Sequence, residues 1–108
     1  MDINLSLEKI ILILENDDFI KSHDLFEELW RKYKDNEDTR KESFILKAFV
    51  NGSVTIELLK MQRYEHSSNV WNTYKKYECL IDEIESINSE NYKKIKEIIY
   101  KKREKYIK

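Results

Sequence analysis

Phe19-Ile20-Lys21-Ser22-His23-Asp24-Leu25-Phe26-Glu27-Glu28-Leu29-Trp30-Arg31-Lys32-Tyr33-Lys34 has the periodicity of an amphipathic helix. Phe19, His23, Phe26, Trp30 and Tyr33 recur at spacings of 4, 3, 4 and 3, which sets all five on one stripe. Leu25 and Leu29 widen it. Asp17 or Asp18 can accept hydrogen bonds from the free N–H groups of the first turn. Lys34-Asp35-Asn36-Glu37-Asp38-Thr39 is polar throughout and reads as a loop.

The pattern extends in both directions. Before it, Leu7, Ile10, Ile11 and Leu14 predict a helix over about 5–15, with Asn4 or Ser6 as N-cap and a break at Asn16-Asp17-Asp18. After it, Ile45, Ala48, Phe49, Gly52, Ile56 and Leu59 predict a third, central helix over about 40–61. Gly52 in mid-helix costs about 1 kcal/mol relative to Ala, a cost consistent with close helix–helix approach. Val70, Trp71, Tyr74, Tyr77 and Ile81 predict a fourth helix over about 65–84. A last helix over about 90–106 follows, with Ser89 as N-cap. It carries Tyr92, Ile95, Ile98, Ile99 and Tyr106 on one side and lysines on the other. The expectation is a single all-α domain over residues 1–108, about five helices joined by short loops, with mostly antiparallel neighbours.

Composition agrees. There is no proline and one glycine, so strands, tight turns and any Gly-rich phosphate loop are disfavoured. Cys79 is the only cysteine, which excludes an internal disulfide or a thiolate metal cluster and fits a reducing cytoplasm. The apolar run Ile10 to Leu14 has acidic flanks and no cleavage site, and it is far short of the roughly 20 apolar residues of a membrane span. Net charge is −1, yet residues 91–108 hold eight Lys/Arg against two Glu. That asymmetry suits either a contact surface or a solvated last helix.

Ser22-His23-Asp24-Leu25-Phe26-Glu27-Glu28-Leu29-Trp30 resembles the A-H-E-x-x-E-x-x-W stretch of the bacterial and archaeal family called domain of unknown function 309. Ala48 to Thr55 is similar to that family's apolar helix. Met61-Gln62-Arg63 resembles its Gly-containing turn, and Trp71 to Tyr77 its following helix. The resemblance covers about residues 18–80. Asp24 stands where the family has Glu, Asn51 where it has Gln, and Ala48 where Gly is common. The resemblance implies a compact helical fold and no established activity.

Several constellations admit a chemical and a structural reading. His23 and Glu27, four apart on one helix face, with Asp24 beside them, can share a metal ion or act as base and orienter. Glu42, Glu57 and His66 are the candidate further ligands. The structural reading makes His23 a core histidine with Trp30 packed over it. Trp30 and Trp71 with the tyrosines, Asn51 and Arg63 are the candidate pocket residues. At helical spacing aromatics also form cores, and Arg63 also suits a helix C-terminus. Lys93, Lys94, Lys101, Lys102, Arg103 and Lys105, interleaved with tyrosines, suit phosphate contacts, an acidic protein partner, or a solvated face.

No catalytic fingerprint is present. The expected function is therefore a non-enzymatic interaction module of the cytoplasm that self-associates or meets a protein partner, with no cofactor and no membrane. A metal-dependent or acid–base enzyme on His23 and Glu27 is the second reading. A nucleic-acid accessory protein using the basic last helix is the third.

Overall fold

Asp18 caps a helix as its sequence suggests: its carboxylate accepts a hydrogen bond from Lys21 N–H at 3.1 Å. The computed structural model describes residues 1–107. It contains α1 (Asn4–Glu15), α2 (Phe19–Lys34), α3 (Arg40–Lys60), α4 (Tyr64–Glu78), α5 (Leu80–Glu83) and α6 (Ser89–Tyr106). Among the described residues there is no strand, so the all-α class holds.

α3 is the central helix. It packs against α2, α4, α5 and α6, while α1 closes the bundle against α2 and α6. Small residues let the neighbours in. Gly52 is buried, and a Cβ there would lie 2.8 Å from Ile99 Cδ1 of α6 and 3.3 Å from the Tyr74 ring of α4. On the other flank, Ser53 and Ser22 hydroxyls meet at 2.9 Å between α3 and α2. Ser67 donates to Thr55 O at 2.8 Å between α4 and α3. Phe26, Phe49 and Tyr92 carry the apolar centre through α2, α3 and α6, with ring centroids 5.3 and 5.9 Å apart.

Helices α1 and α3 both stop without glycine. Asp17 and Gln62 each sit at φ 61°. In the first turn, Asp17 N–H bonds Leu14 O and Asp18 N–H bonds Ile13 O. In the second, Gln62 N–H bonds Leu59 O and Arg63 N–H bonds Leu58 O. Both are Schellman motifs. The left-handed backbone costs a non-glycine residue about 1–2 kcal/mol, less for Asp, whose short side chain bonds locally.

The boundaries differ from expectation in three places. The predicted fourth helix is interrupted at Cys79, where Asp82 N–H reaches back only three residues to Cys79 O at 3.2 Å, a tighter 3₁₀-type turn. α1 begins one residue early. Its N-cap position is Ile3, and Asp2 accepts the Asn4 N–H at 2.9 Å. Ser89 is the first residue of α6 instead of its cap. Its hydroxyl accepts Ser86 N–H at 3.0 Å.

A buried polar hub locks the end of the bundle that holds the start of α1 and α6. Asn88 is fully buried. Its Oδ1 accepts Ile3 N–H at 3.1 Å. Its Nδ2 faces Met1 O, Tyr33 Oη and Glu42 Oε2 at 3.1, 2.9 and 3.0 Å, so three acceptors share two N–H groups. Tyr33 donates to Met1 O, and Tyr92 to Glu42 Oε2, both at 2.5 Å. Burial and then the Glu42 carboxylate push the Tyr33 hydroxyl up to about 12.

Candidate functional site

The His23-Asp24-x-x-Glu27-x-x-Trp30 run lies on the face where α2 and α3 run side by side. The five-residue stripe of α2 divides there. Phe19, Phe26 and Tyr33 are buried, together with Ser22 and Leu29, whereas His23 and Trp30 lie at the margin of the buried arc and are half-exposed. Seven-residue spacing keeps the first three on one line. The members between them fall toward α3, which corrects the expectation of a core histidine beneath Trp30.

His23 Nδ1 lies 3.0 Å from Asp24 Oδ1, and its Nε2 lies 3.7 Å from Glu27 Oε2. Arg31 holds the other Glu27 oxygen at 2.8 Å. The four side chains form a line along α2, with the two His23 ring nitrogens turned to different carboxylates. The imidazole borders a shallow groove of about 160 Å³ lined by Phe19, Ile20, Val54, Glu57 and Leu58.

Glu57 therefore shares a groove with His23. Glu42 does not. It lies fifteen residues earlier on α3, about 22 Å away at 1.5 Å per residue, and its carboxylate belongs to the Asn88 hub. His66 is exposed on the first turn of α4, in a surface depression with Arg63 and Tyr64. Among the described residues, no group of three or more His, Cys, Asp or Glu converges as a metal site would require.

Trp30 and Trp71 form no common pocket. Trp30 lies under two ammonium groups, Lys34 at 4.5 Å and Lys47 at 4.2 Å from the ring centroid. Trp71 is buried on the α4–α6 side. It stacks on Tyr74 at 4.7 Å and meets Tyr100 edge-on at 5.2 Å, with the Arg103 guanidinium over it at 4.3 Å. Asn51 is half-buried, and its amide turns back to Lys47 O on its own helix at 3.1 Å. Arg63 acts through its backbone: its N–H closes the α3 Schellman turn, and its O accepts Ser67 N–H at the start of α4.

The last helix packs on its own domain, and part of its basic set is used there. Lys102 Nζ lies 2.7 Å from Asp17 Oδ1 and donates to Glu15 O at 3.1 Å. Lys105 lies 2.6 Å from Asp17 Oδ2, and Tyr106 donates to the same oxygen. Burial alone would raise the Asp17 carboxyl. The hydrogen bonds from Lys102, Lys105 and Tyr106 overcome it and hold the group well below the usual carboxylate range. Lys96 meets Asp82 at 3.9 Å. Lys93, Lys94 and Lys101 remain exposed, interspersed with Glu90, Glu97 and Glu104.

Asp17 and Asn88 were not singled out as partners by sequence. Each sits in a short polar turn, and its tertiary contacts lie more than 40 residues away, so no local period marks it. No helix among the described residues is long and apolar enough to cross a membrane. No known protein-family model, curated protein or solved structure matches the chain.

Proposed function

We propose that this chain is a small cytoplasmic, non-enzymatic interaction module that associates with a second copy of itself. One observation carries the reading. Leu5 and Leu12, seven residues apart on α1, are 84% and 62% exposed. They point away from Leu7, Ile10 and Leu14, which bury α1 in its own bundle. Two further exposed apolar residues, Met1 and Ile87, lie at the same end, where Ile87 O accepts the Asn4 side-chain amide at 2.9 Å. Exposed apolar side chains gathered on one face, here on either side of the charged Glu8 and Lys9, suit a contact surface on a small domain. Sedimentation and native mass spectrometry of untagged protein test it. A dimer that dissociates in Leu5→Glu/Leu12→Glu, with circular dichroism unchanged, is expected. A monomer at every concentration up to the millimolar range ends the reading.

The His23-Asp24-x-x-Glu27-x-x-Trp30 run supports placing the chain near the domain of unknown function 309 family. Gln62, in the left-handed backbone that glycine favours, is consistent with the Gly-containing turn of that family. An acid–base or metal-dependent enzyme on His23, Asp24 and Glu27 is the second reading, favoured by Glu57 in the same groove. Zinc or manganese retained by the native protein and lost in His23→Ala would move it to first place. The nucleic-acid reading through α6 has less support, because Lys102, Arg103 and Lys105 are engaged within the domain.

A further inference from the structure

A second basic surface, away from α6, crosses α2, α3 and α4. It begins with Lys34 and Lys47 on the Trp30 ring. One turn before Lys47 on α3 stands Phe44, which is 41% exposed. Residues three apart on a helix are neighbours, about 5–6 Å between Cβ atoms. Phe44 stacks on Tyr77 of α4, with ring centroids 5.6 Å apart and planes 14° from parallel. Lys76 lies 5.4 Å from the Tyr77 ring. The result is a strip of three cations and three aromatic side chains that spans α2, α3 and α4.

Its charge is not neutralised from within. Among the described residues, the ion pairs are those of His23, Arg31, Lys60, Lys75, Lys96, Lys102 and Lys105. Lys34, Lys47 and Lys76 have no carboxylate partner, in a chain whose net charge is −1. Asp35, Glu37 and Asp38 bound the strip at the α2–α3 loop. The free lysines of α6 are arranged differently. Lys94 and Lys101 each follow a glutamate, Glu90 and Glu97, by four residues, the spacing at which such pairs attract. Neighbouring aromatics of α6 are committed elsewhere: Tyr92 is buried, and Tyr100 is hydrogen-bonded to Glu78 at 2.9 Å.

We propose that the strip of Trp30, Phe44 and Tyr77 with Lys34, Lys47 and Lys76 binds single-stranded nucleic acid. A flexible polyanion with planar bases matches both halves of the pattern: ammonium groups take phosphates, and partly exposed rings, Phe44 the most exposed of the three, stack bases without sequence preference. An acidic peptide would satisfy the lysines and leave the rings unused. The proposal is independent of self-association, because α1 packs against the opposite flank of α2, through the cleft that holds Leu25 and Glu28.

The test uses the full chain and a fluorescently labelled oligothymidylate about 15 nucleotides long, with binding followed by anisotropy over a range of salt. Three neutralised phosphates give a slope of log affinity against log salt of about −2, at about −0.7 per phosphate on a single strand. Lys34→Gln/Lys47→Gln/Lys76→Gln flattens that slope toward zero. Phe44→Ala weakens binding about tenfold at constant slope, as expected for loss of one stacked base. Lys93→Gln/Lys94→Gln/Lys101→Gln changes neither. All of these side chains reach the surface, and circular dichroism checks that each variant folds. Absence of binding at low salt overturns the proposal. So does binding that follows the α6 variant, or equal competition by poly-glutamate, which would mark the strip as a site for acidic protein.

Discussion

Replacing Gly52 by alanine sets two effects of similar size against each other. Helix propensity favours alanine by about 1 kcal/mol at an interior position. The new methyl would lie 2.8 Å from Ile99 Cδ1, closer than carbon atoms approach in a packed core, and 3.3 Å from the Tyr74 ring, at the tight end of such contacts. Ile99 and Tyr74 are fully buried and have little room to retreat. Overpacking of this kind costs about 1–3 kcal/mol. Gly52→Ala therefore lowers stability by about 1 kcal/mol, a fall of roughly 4–8 °C in midpoint for a domain near this size. A second substitution separates the causes. Ile99→Val removes the colliding Cδ1 and alone costs about 1 kcal/mol. Combined with Gly52→Ala it costs close to nothing where simple addition gives about 2 kcal/mol, a coupling of about 2 kcal/mol between neighbours. Urea unfolding followed by far-UV circular dichroism on the four proteins of the cycle measures this. A stabilised Gly52→Ala, or two substitutions that simply add, would show that α3 and α6 are not in contact at Gly52.

Three further outcomes are expected. The Asp17 carboxyl titrates below its unfolded value of about 3.9, so the Asp17 cluster stabilises the fold at higher pH and loses that contribution as pH falls below about 4. Asp17→Asn keeps a side chain that tolerates the left-handed backbone. It should cost about 1 kcal/mol at neutral pH, with the gap to the parent closing toward pH 2 in urea titrations. Asn88→Ala strands Ile3 N–H and leaves the half-buried Glu42 carboxylate with the Tyr92 hydroxyl alone; a loss of about 3 kcal/mol is expected, with faster amide exchange at Ile3. Burial first, and then Glu42 or Glu78, raises the Tyr33, Tyr74 and Tyr92 hydroxyls. The unfolded chain then releases those protons first, and stability falls as pH rises above about 10. Ultraviolet titration should show these tyrosines ionising only with unfolding.

Much of the fold was legible because its signals are local. The stripe of α2, a capping aspartate at residue 17 or 18 and the apolar run of α3 each follow from spacing within one helix. The close approach at Gly52 was legible too, since a lone mid-helix glycine needs a reason. The misplacement of His23 and Trp30 shows the limit. Their spacing places them on the stripe, but which edge of the stripe faces solvent is set by where α3 packs. Likewise Lys102 and Lys105 read as free surface charge until Asp17 comes to meet them. The strip of Trp30, Phe44 and Tyr77 is drawn from three helices, and no single one of them contains its pattern.

The contacts of Ile3 with Asn88, and of Asp17 with Lys105, join residues 85 and 88 positions apart. On a ribosome working at roughly 5–20 residues per second, α1 emerges about 5–20 s before its partners on α6 exist. Leu7, Ile10 and Leu14 have only α2 to cover them during that interval. The nascent chain thus carries a sticky first helix until α6 has been made, and a holding chaperone has a window of seconds in which to act.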